Sequence, residues 1–161
     1  MKRRLALVVL AALLGPAAAS DVTDAIHAWM GKWPAEPLNR QPVATVASKD
    51  ARTFWQFPGT RAGLEDAIGK RRAAVLIGRW STGDDLKMAG PRWASFMACK
   101  PHDCGANSAQ VFVDTVSGRF NVCWTEESRS AWLAPRRPAL ALGNDGCNAD
   151  DPAKLIARYG R

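Results

Sequence analysis

Four cysteines, at 99, 104, 123 and 147, constrain this chain more than anything else in its sequence. Their meaning depends on compartment, because thiols stay reduced in the cytosol and pair outside it. The N-terminus supplies that information. Lys2, Arg3 and Arg4 form a basic lead, Leu5 to Leu14 is an uncharged apolar run, and Pro16 with Ala17, Ala18 and Ala19 supplies a break and small residues. This is the pattern of a secretory signal peptide over residues 1–19, cleaved after Ala19 or Ser20. The apolar run is too short to span a bilayer, and no cysteine follows the cleavage site to carry a lipid anchor. An even cysteine count in an exported chain reads as two disulfides, with three connectivities available. Cys99–Cys104 with Cys123–Cys147 is the favoured pairing.

The remaining chain is one domain's worth of residues, enough for a modest core that disulfides would reinforce. The formal charge of +7 falls to +4 when the three signal-peptide cations leave, since no acid leaves with them. That surplus is mild. The only paired arginines beyond the signal are Arg71-Arg72 and Arg136-Arg137, and no basic run is interleaved with aromatics. A nucleic-acid partner is therefore not expected, nor is a membrane span. The sequence is silent on monomer against homodimer.

Val22, Ile26, Trp29, Met30 and Trp33 fall at helical spacing over residues 22–33, with Pro34 and Pro37 as the stop. His27 on this helix reads as a surface or boundary residue without a function. "TFWQF" (53–57) reads as strand-like, with a turn at Pro58-Gly59. Leu64, Ala67 and Ile68 predict a helix over 61–71, with Glu65 and Asp66 in its first turn. "AAVLIGRW" (73–80) reads as a buried strand and "STGDD" (81–85) as a turn. Strands follow over 92–99, 109–116 and 119–125, the last two joined by a two-residue turn at Ser117-Gly118. Phe120, Val122 and Trp124 alternate with Asn121, Cys123 and Thr125, which predicts a sheet covered on one face. Asp150 or Asp151 before Pro152 predicts a capped helix over 152–159. The expected class is α+β: a mostly antiparallel sheet with helices on one face, in a single domain.

The chemistry concentrates in "CKPHDCG", residues 99–105. A disulfide across so short a loop removes about 2 kcal/mol of chain entropy from the unfolded state, against roughly 3–4 kcal/mol for Cys123–Cys147. The short bridge mainly fixes local shape. Pro101 locks its own φ and restricts Lys100, His102 sits beside Asp103, and Gly105 releases the chain. A stiff, polar protrusion led by a histidine loses little entropy on binding, which suits a plug for another protein's cleft. Three other readings compete. Cys99, His102 and Cys104 are spaced as metal ligands, but a zinc site needs a fourth, and His27 is far away in sequence. The spacing is not the C-x-x-C of redox exchange. A stapled turn with no further role is common in secreted domains.

The ordered run Cys99-Lys100-Pro101-His102-Asp103-Cys104-Gly105 resembles the signature loop of the Ivy family, inhibitors of vertebrate c-type lysozyme in Gram-negative periplasms. The flanks agree in kind: "SFMA" before the loop, then "AQVFVDTV" and "RFNVCW" after it. The resemblance covers about residues 61–135. It implies a periplasmic protein whose loop enters the lysozyme cleft, with His102 against the catalytic carboxyl groups. It divides the chain into signal peptide (1–19), an N-terminal extension with a helix (20–60) and an inhibitor domain (61–161). A lysozyme-type glycosidase uses two carboxyl groups roughly 5–5.5 Å apart. A protonated imidazole donates from both ring edges and can bond one or both of them. Lys100 is placed to meet acids at the cleft rim, and Asp103 to orient the ring or meet a donor on the wall. No cofactor, no metal and no catalysis by the chain itself is expected.

Two features depart from that family pattern. Cys123 and Cys147 lie outside its signature and would tie the sheet to the segment before the last helix. The charge is also of the wrong sign for strongly basic c-type lysozymes, because like net charge slows encounter. Asp84-Asp85, Glu126-Glu127, Asp145 and Asp150-Asp151 are candidates for a compensating acidic patch. Lytic transglycosylases, lysozyme-like enzymes of the bacterium itself, are therefore a second candidate partner. Two rival classes remain. An enzyme is disfavoured by the absence of G-x-S-x-G and H-E-x-x-H. A glycan-binding module would use some of the seven tryptophans, at 29, 33, 55, 80, 93, 124 and 132, as sugar platforms.

Overall fold

The computed structural model describes residues 16–37, 52–143, 146–147 and 151–160, with side chains from residue 21 onward. Residues 1–15, which hold most of the expected signal peptide, lie outside the described residues, as do Asp145 and Asp150. In chain order come helix α1 (Pro16–Trp29), a 3-10 turn (Phe54–Gln56), helices α2 (Pro58–Ile68) and α3 (Lys70–Arg79), strands β1 (Thr82–Gly83), β2 (Lys87–Met88), β3 (Trp93–Cys99), β4 (Ser108–Asp114), β5 (Phe120–Glu126), β6 (Arg129–Leu133) and β7 (Leu140–Leu142), and helix α4 (Pro152–Tyr159). The sheet runs β1-β3-β4-β5-β6-β7, antiparallel throughout, with β2 beside β1 on the outer edge of β3. This is the expected α+β class.

Alternation along the strands sorts side chains into two clusters. Ala94, Phe96 and Ala98 of β3, Val111 and Val113 of β4, and Phe120, Val122 and Trp124 of β5 face the principal core. Val22, Ala25, Ile26 and Trp29 of α1, Leu64 and Ile68 of α2, and Ala73 and Leu76 of α3 close over them. The opposite face is not bare. Phe112, Cys123 and Trp132 project there and meet Leu155 and Ile156 of α4 in a second, smaller cluster. Three helices thus share one face, while the short C-terminal helix takes the other. The Cys123–Cys147 bridge joins the sheet to the segment before α4, as expected. Asp151 caps α4 by accepting from the Ala153 N–H at 2.9 Å.

Several local expectations are corrected. The stretch 73–80 is not a strand; it is most of α3. Its burial falls on Ala73, Leu76 and Trp80, a helical stripe, while Ala74, Gly78 and Arg79 face solvent. An apolar run of this length does not separate the two periods, and burial in the principal core beside α2 decides between them. "TFWQF" is likewise a 3-10 turn, because Phe54 and Trp55 both point inward. Helix α2 starts at Pro58, in the first-turn position that proline favours, so Glu65 and Asp66 lie past its first turn. Helix α1 stops at Trp29, not at the prolines: Gly31 takes φ 75, and its N–H donates to the Leu86 carbonyl at 2.8 Å. The β4–β5 connection is longer than two residues. It spans 115–119, where Asp114 accepts from the Val116 and Ser117 N–H groups at 3.0 and 3.3 Å.

Asp114 also takes both arms of Arg92, at 2.9 and 2.6 Å, with its carboxylate fully buried. Burial pushes this carboxyl up, but the guanidinium and the turn N–H groups outweigh it and hold the pKa at about 2, below the usual 3.8. A depressed folded-state pKa gives stability that is full above the unfolded value and lost as pH falls through the folded one. We therefore expect about 1–2 kcal/mol to disappear between about pH 4 and pH 2, allowing for the solvent around Arg92. Urea midpoints measured across that range should show the loss in the wild type and a flatter profile in Asp114→Asn.

Candidate functional site

Strands β3 and β4 pair in register from Trp93↔Asp114 to Cys99↔Ser108. The Arg92–Asp114 pair closes one end of this ribbon, and the loop 100–107 closes the other, about 20 Å away at the usual rise per residue. The Cys99–Cys104 disulfide forms, so both sulfurs are used in the bridge and offer no thiolate to a metal or a redox partner. Cys99 is fully buried in the sheet, which anchors the bridge to a rigid element.

Inside the bridge the backbone makes a tight turn. The Asp103 N–H donates to the Lys100 carbonyl at 3.0 Å, with Pro101 and His102 between them. His102 has φ 64, in the left-handed region. Proline at the second turn position and positive φ at the third are the marks of a type II turn, where glycine is the usual third residue. A histidine there costs roughly 1–2 kcal/mol of backbone energy. Such cost persists only where the surroundings over-determine the conformation, as the bridge and the proline do. The outcome is that His102 is exposed at the tip, and its ring has no hydrogen-bond partner among the described residues.

Asp103 does not attend the imidazole. Its Oδ2 accepts from Lys100 Nζ at 3.0 Å and from Asn107 Nδ2 at 2.7 Å, and these two bonds hold its pKa below the ordinary value. The carboxylate therefore braces the loop from within. The Asn107 N–H returns to the Asp103 carbonyl at 2.9 Å, and the Lys100 N–H to the Asn107 carbonyl at 3.1 Å. Asn107, which sequence reasoning passed over, is the knot of the loop base. Its side-chain oxygen also meets the Glu127 N–H at 3.4 Å, and the Ser128 N–H donates to the Ala106 carbonyl at 3.0 Å. Those contacts tie the loop to the β5–β6 hairpin, whose turn residues Glu127 and Ser128 have φ 51 and 62. This hairpin lacks the Asn-Gly or Asp-Gly signal that marks such turns in sequence.

Among the described residues, several of the acids named for a patch are engaged locally. Asp84 faces Lys87 at 3.9 Å, Glu127 pairs with Arg129 at 2.9 Å, and Asp151 is spent on its helix cap. Glu126 lines a groove whose other charged residues are all cations. The tryptophans offer no sugar platform either: five are buried and Trp33 and Trp93 are half-buried.

The site and its setting define a class: a small disulfide-braced α+β domain that displays one rigid, histidine-tipped loop at the end of its sheet. The chain belongs to the inhibitor of vertebrate lysozyme (Ivy) family, whose model matches residues 59–149, more than half of its length. The match begins in α2 and carries past the second disulfide, beyond the stretch 61–135 on which the resemblance was read. Comparison with curated proteins and with solved structures returns no match. Membership in this inhibitor family implies lysozyme inhibition. Among the described residues, no helix is long and apolar enough to cross a membrane.

Proposed function

We propose that the chain inhibits a peptidoglycan-cleaving muramidase in the periplasm by seating Lys100, Pro101, His102 and Asp103 in the enzyme's active-site cleft. The observation that carries this reading is the left-handed, exposed His102 at the tip of a loop braced by a disulfide, a proline and the Asp103 carboxylate. The imidazole meets one or both catalytic carboxyl groups and the loop occupies the space that sugar and water need. Lys100 and Asp103 act as a pair that keeps the loop in its bound shape, so little ordering is left to pay at encounter. Residues 1–19 direct export and are removed.

A c-type lysozyme is the first candidate partner, following the family's description. A lytic transglycosylase is the second, and one observation favours it: the groove beside the loop carries five cations and one acid, which repels a basic lysozyme. The test is a lysis assay with the oxidised protein lacking residues 1–19, titrated against one enzyme of each kind on peptidoglycan. Inhibition at near-stoichiometric protein supports the reading and names the target. No inhibition of either enzyme would refute it.

The same assay separates the two roles of the short bridge. Cys99→Ser/Cys104→Ser should lose about 2 kcal/mol of stability, the entropy of a small closed loop, yet stay folded. Its inhibition should fall by at least about tenfold, because the freed loop must be ordered on binding. Wild-type inhibition by that variant would show that the bridge is only a staple.

A further inference from the structure

We infer that the groove beside the loop is a second docking element, which receives an acidic surface segment of the target enzyme next to its cleft. The inference rests on the reading of the loop as the target-facing element. The groove has a volume of about 900 Å³ and is lined by Lys70, Arg71, Arg72, Arg79 and Lys100, with Glu126 as the single acid. Its net lining charge, five positive less one negative, equals the +4 expected of the whole chain without residues 1–19. The remaining residues of that chain sum to zero net charge.

The groove is continuous with the loop. Lys100 and Asn107 form both the loop base and one groove wall, so a protein seated on the loop covers the groove as well. The opposite wall is α3. Its first turn is Lys70-Arg71-Arg72, with no acid in that turn and no side-chain cap. Cations there add to the positive end of the helix dipole instead of offsetting it. Lys70, Arg71 and Arg79 are exposed and have no ion-pair partner among the described residues. Arg72 is held in place, with its guanidinium 5.8 Å from the Trp124 ring centroid. Trp124 lines the groove at 3% exposure, stacked on Trp80 at 4.3 Å, and its buried indole N–H has no partner among the described residues. Because the two indoles cover one another, they leave little face for a sugar ring. What the groove offers is oriented guanidinium and ammonium donors, which match the carboxylates of Asp and Glu side chains.

The experiment uses octaglutamate, labelled with fluorescein, as the probe, with octaserine and phosphatidylglycerol vesicles as comparators. The wild type is expected to bind octaglutamate at least tenfold more tightly than octaserine, with an affinity that falls as salt rises. Arg71→Glu/Arg79→Glu should lose at least tenfold, and Arg71→Gln/Arg79→Gln should lose less, with unchanged circular dichroism. Against muramidases, the charge-reversed variant should inhibit an enzyme with an acidic cleft rim at least tenfold more weakly and should not lose inhibition of a basic lysozyme. Equal binding of the two peptides overturns the inference. So does binding of the vesicles without the peptide, or inhibition of the acidic-rimmed enzyme that charge reversal leaves unchanged. Selective peptide binding by a wild type that inhibits neither enzyme would sink the loop reading but support the groove's preference for an acidic segment.

Discussion

His102→Ala is expected to raise the inhibition constant against the responding muramidase by at least about 100-fold while leaving the fold intact. The size follows from hot-spot energetics: truncating a central side chain that bonds a buried charged partner costs about 2–4 kcal/mol, and 2.7 kcal/mol is 100-fold. The intact fold follows from the position. His102 is exposed, makes no hydrogen bond among the described residues, and lies outside both hydrophobic clusters. Alanine accepts φ 64 about as poorly as histidine does, so the urea midpoint should barely move. Glycine relieves that conformation, and His102→Gly should be at least as stable as the wild type and equally inactive. The opposite orders of stability and inhibition are the signature of a strained functional residue. An alanine variant that inhibits like the wild type would remove His102 from the mechanism.

Trp29→Ala is the counterpart, with a stability loss of about 3–5 kcal/mol. Trp29 is 0% exposed and meets Phe57 and Phe54 edge-on, with ring centroids 5.5 and 6.3 Å away. Its indole N–H donates to the Glu36 carbonyl at 3.1 Å, so the substitution leaves a large cavity and an unpaired acceptor together. A domain of this size has roughly 5–15 kcal/mol in all, so a urea titration should show a large shift of the midpoint. Residue 29 precedes the family match at 59–149, yet its helix closes the principal core. The segment 20–60 therefore contains part of the fold's foundation. A midpoint shift below about 1 kcal/mol would mean that α1 is a dispensable cover.

These two residues mark how differently the sequence discloses its parts. The loop was legible because its determinants are local: two cysteines, a proline and an Asp lie within one short stretch, and the turn they enforce needs no distant contact. The β4 and β5 strands and α4 were legible for a similar reason, since alternation and an Asp-Pro start are written along the element itself. The segment 73–80 was not. Five apolar residues in a run fit either period, and only burial in the principal core makes Ala73, Leu76 and Trp80 the inward stripe of a helix. The same holds for "TFWQF", where burial of two adjacent aromatics defeats alternation.

Sequence alone was enough for the number of disulfides, the α+β class and the cysteine-bounded, histidine-led loop, because each follows from residues near one another or from an even count of cysteines in an exported chain. The tertiary structure decided the rest. It put α4 on the second face of the sheet, gave Asp103 to Lys100 and Asn107 rather than to His102, and paired Asp84 with Lys87 and Glu127 with Arg129. It also brought Lys70, Arg71, Arg72 and Arg79 against Lys100 across some thirty residues of chain. Charges that far apart have no local reason to meet. They meet because α3 packs on α2 and buries its apolar stripe in the principal core, and the burial of that stripe, not the attraction of the charges, sets where they stand.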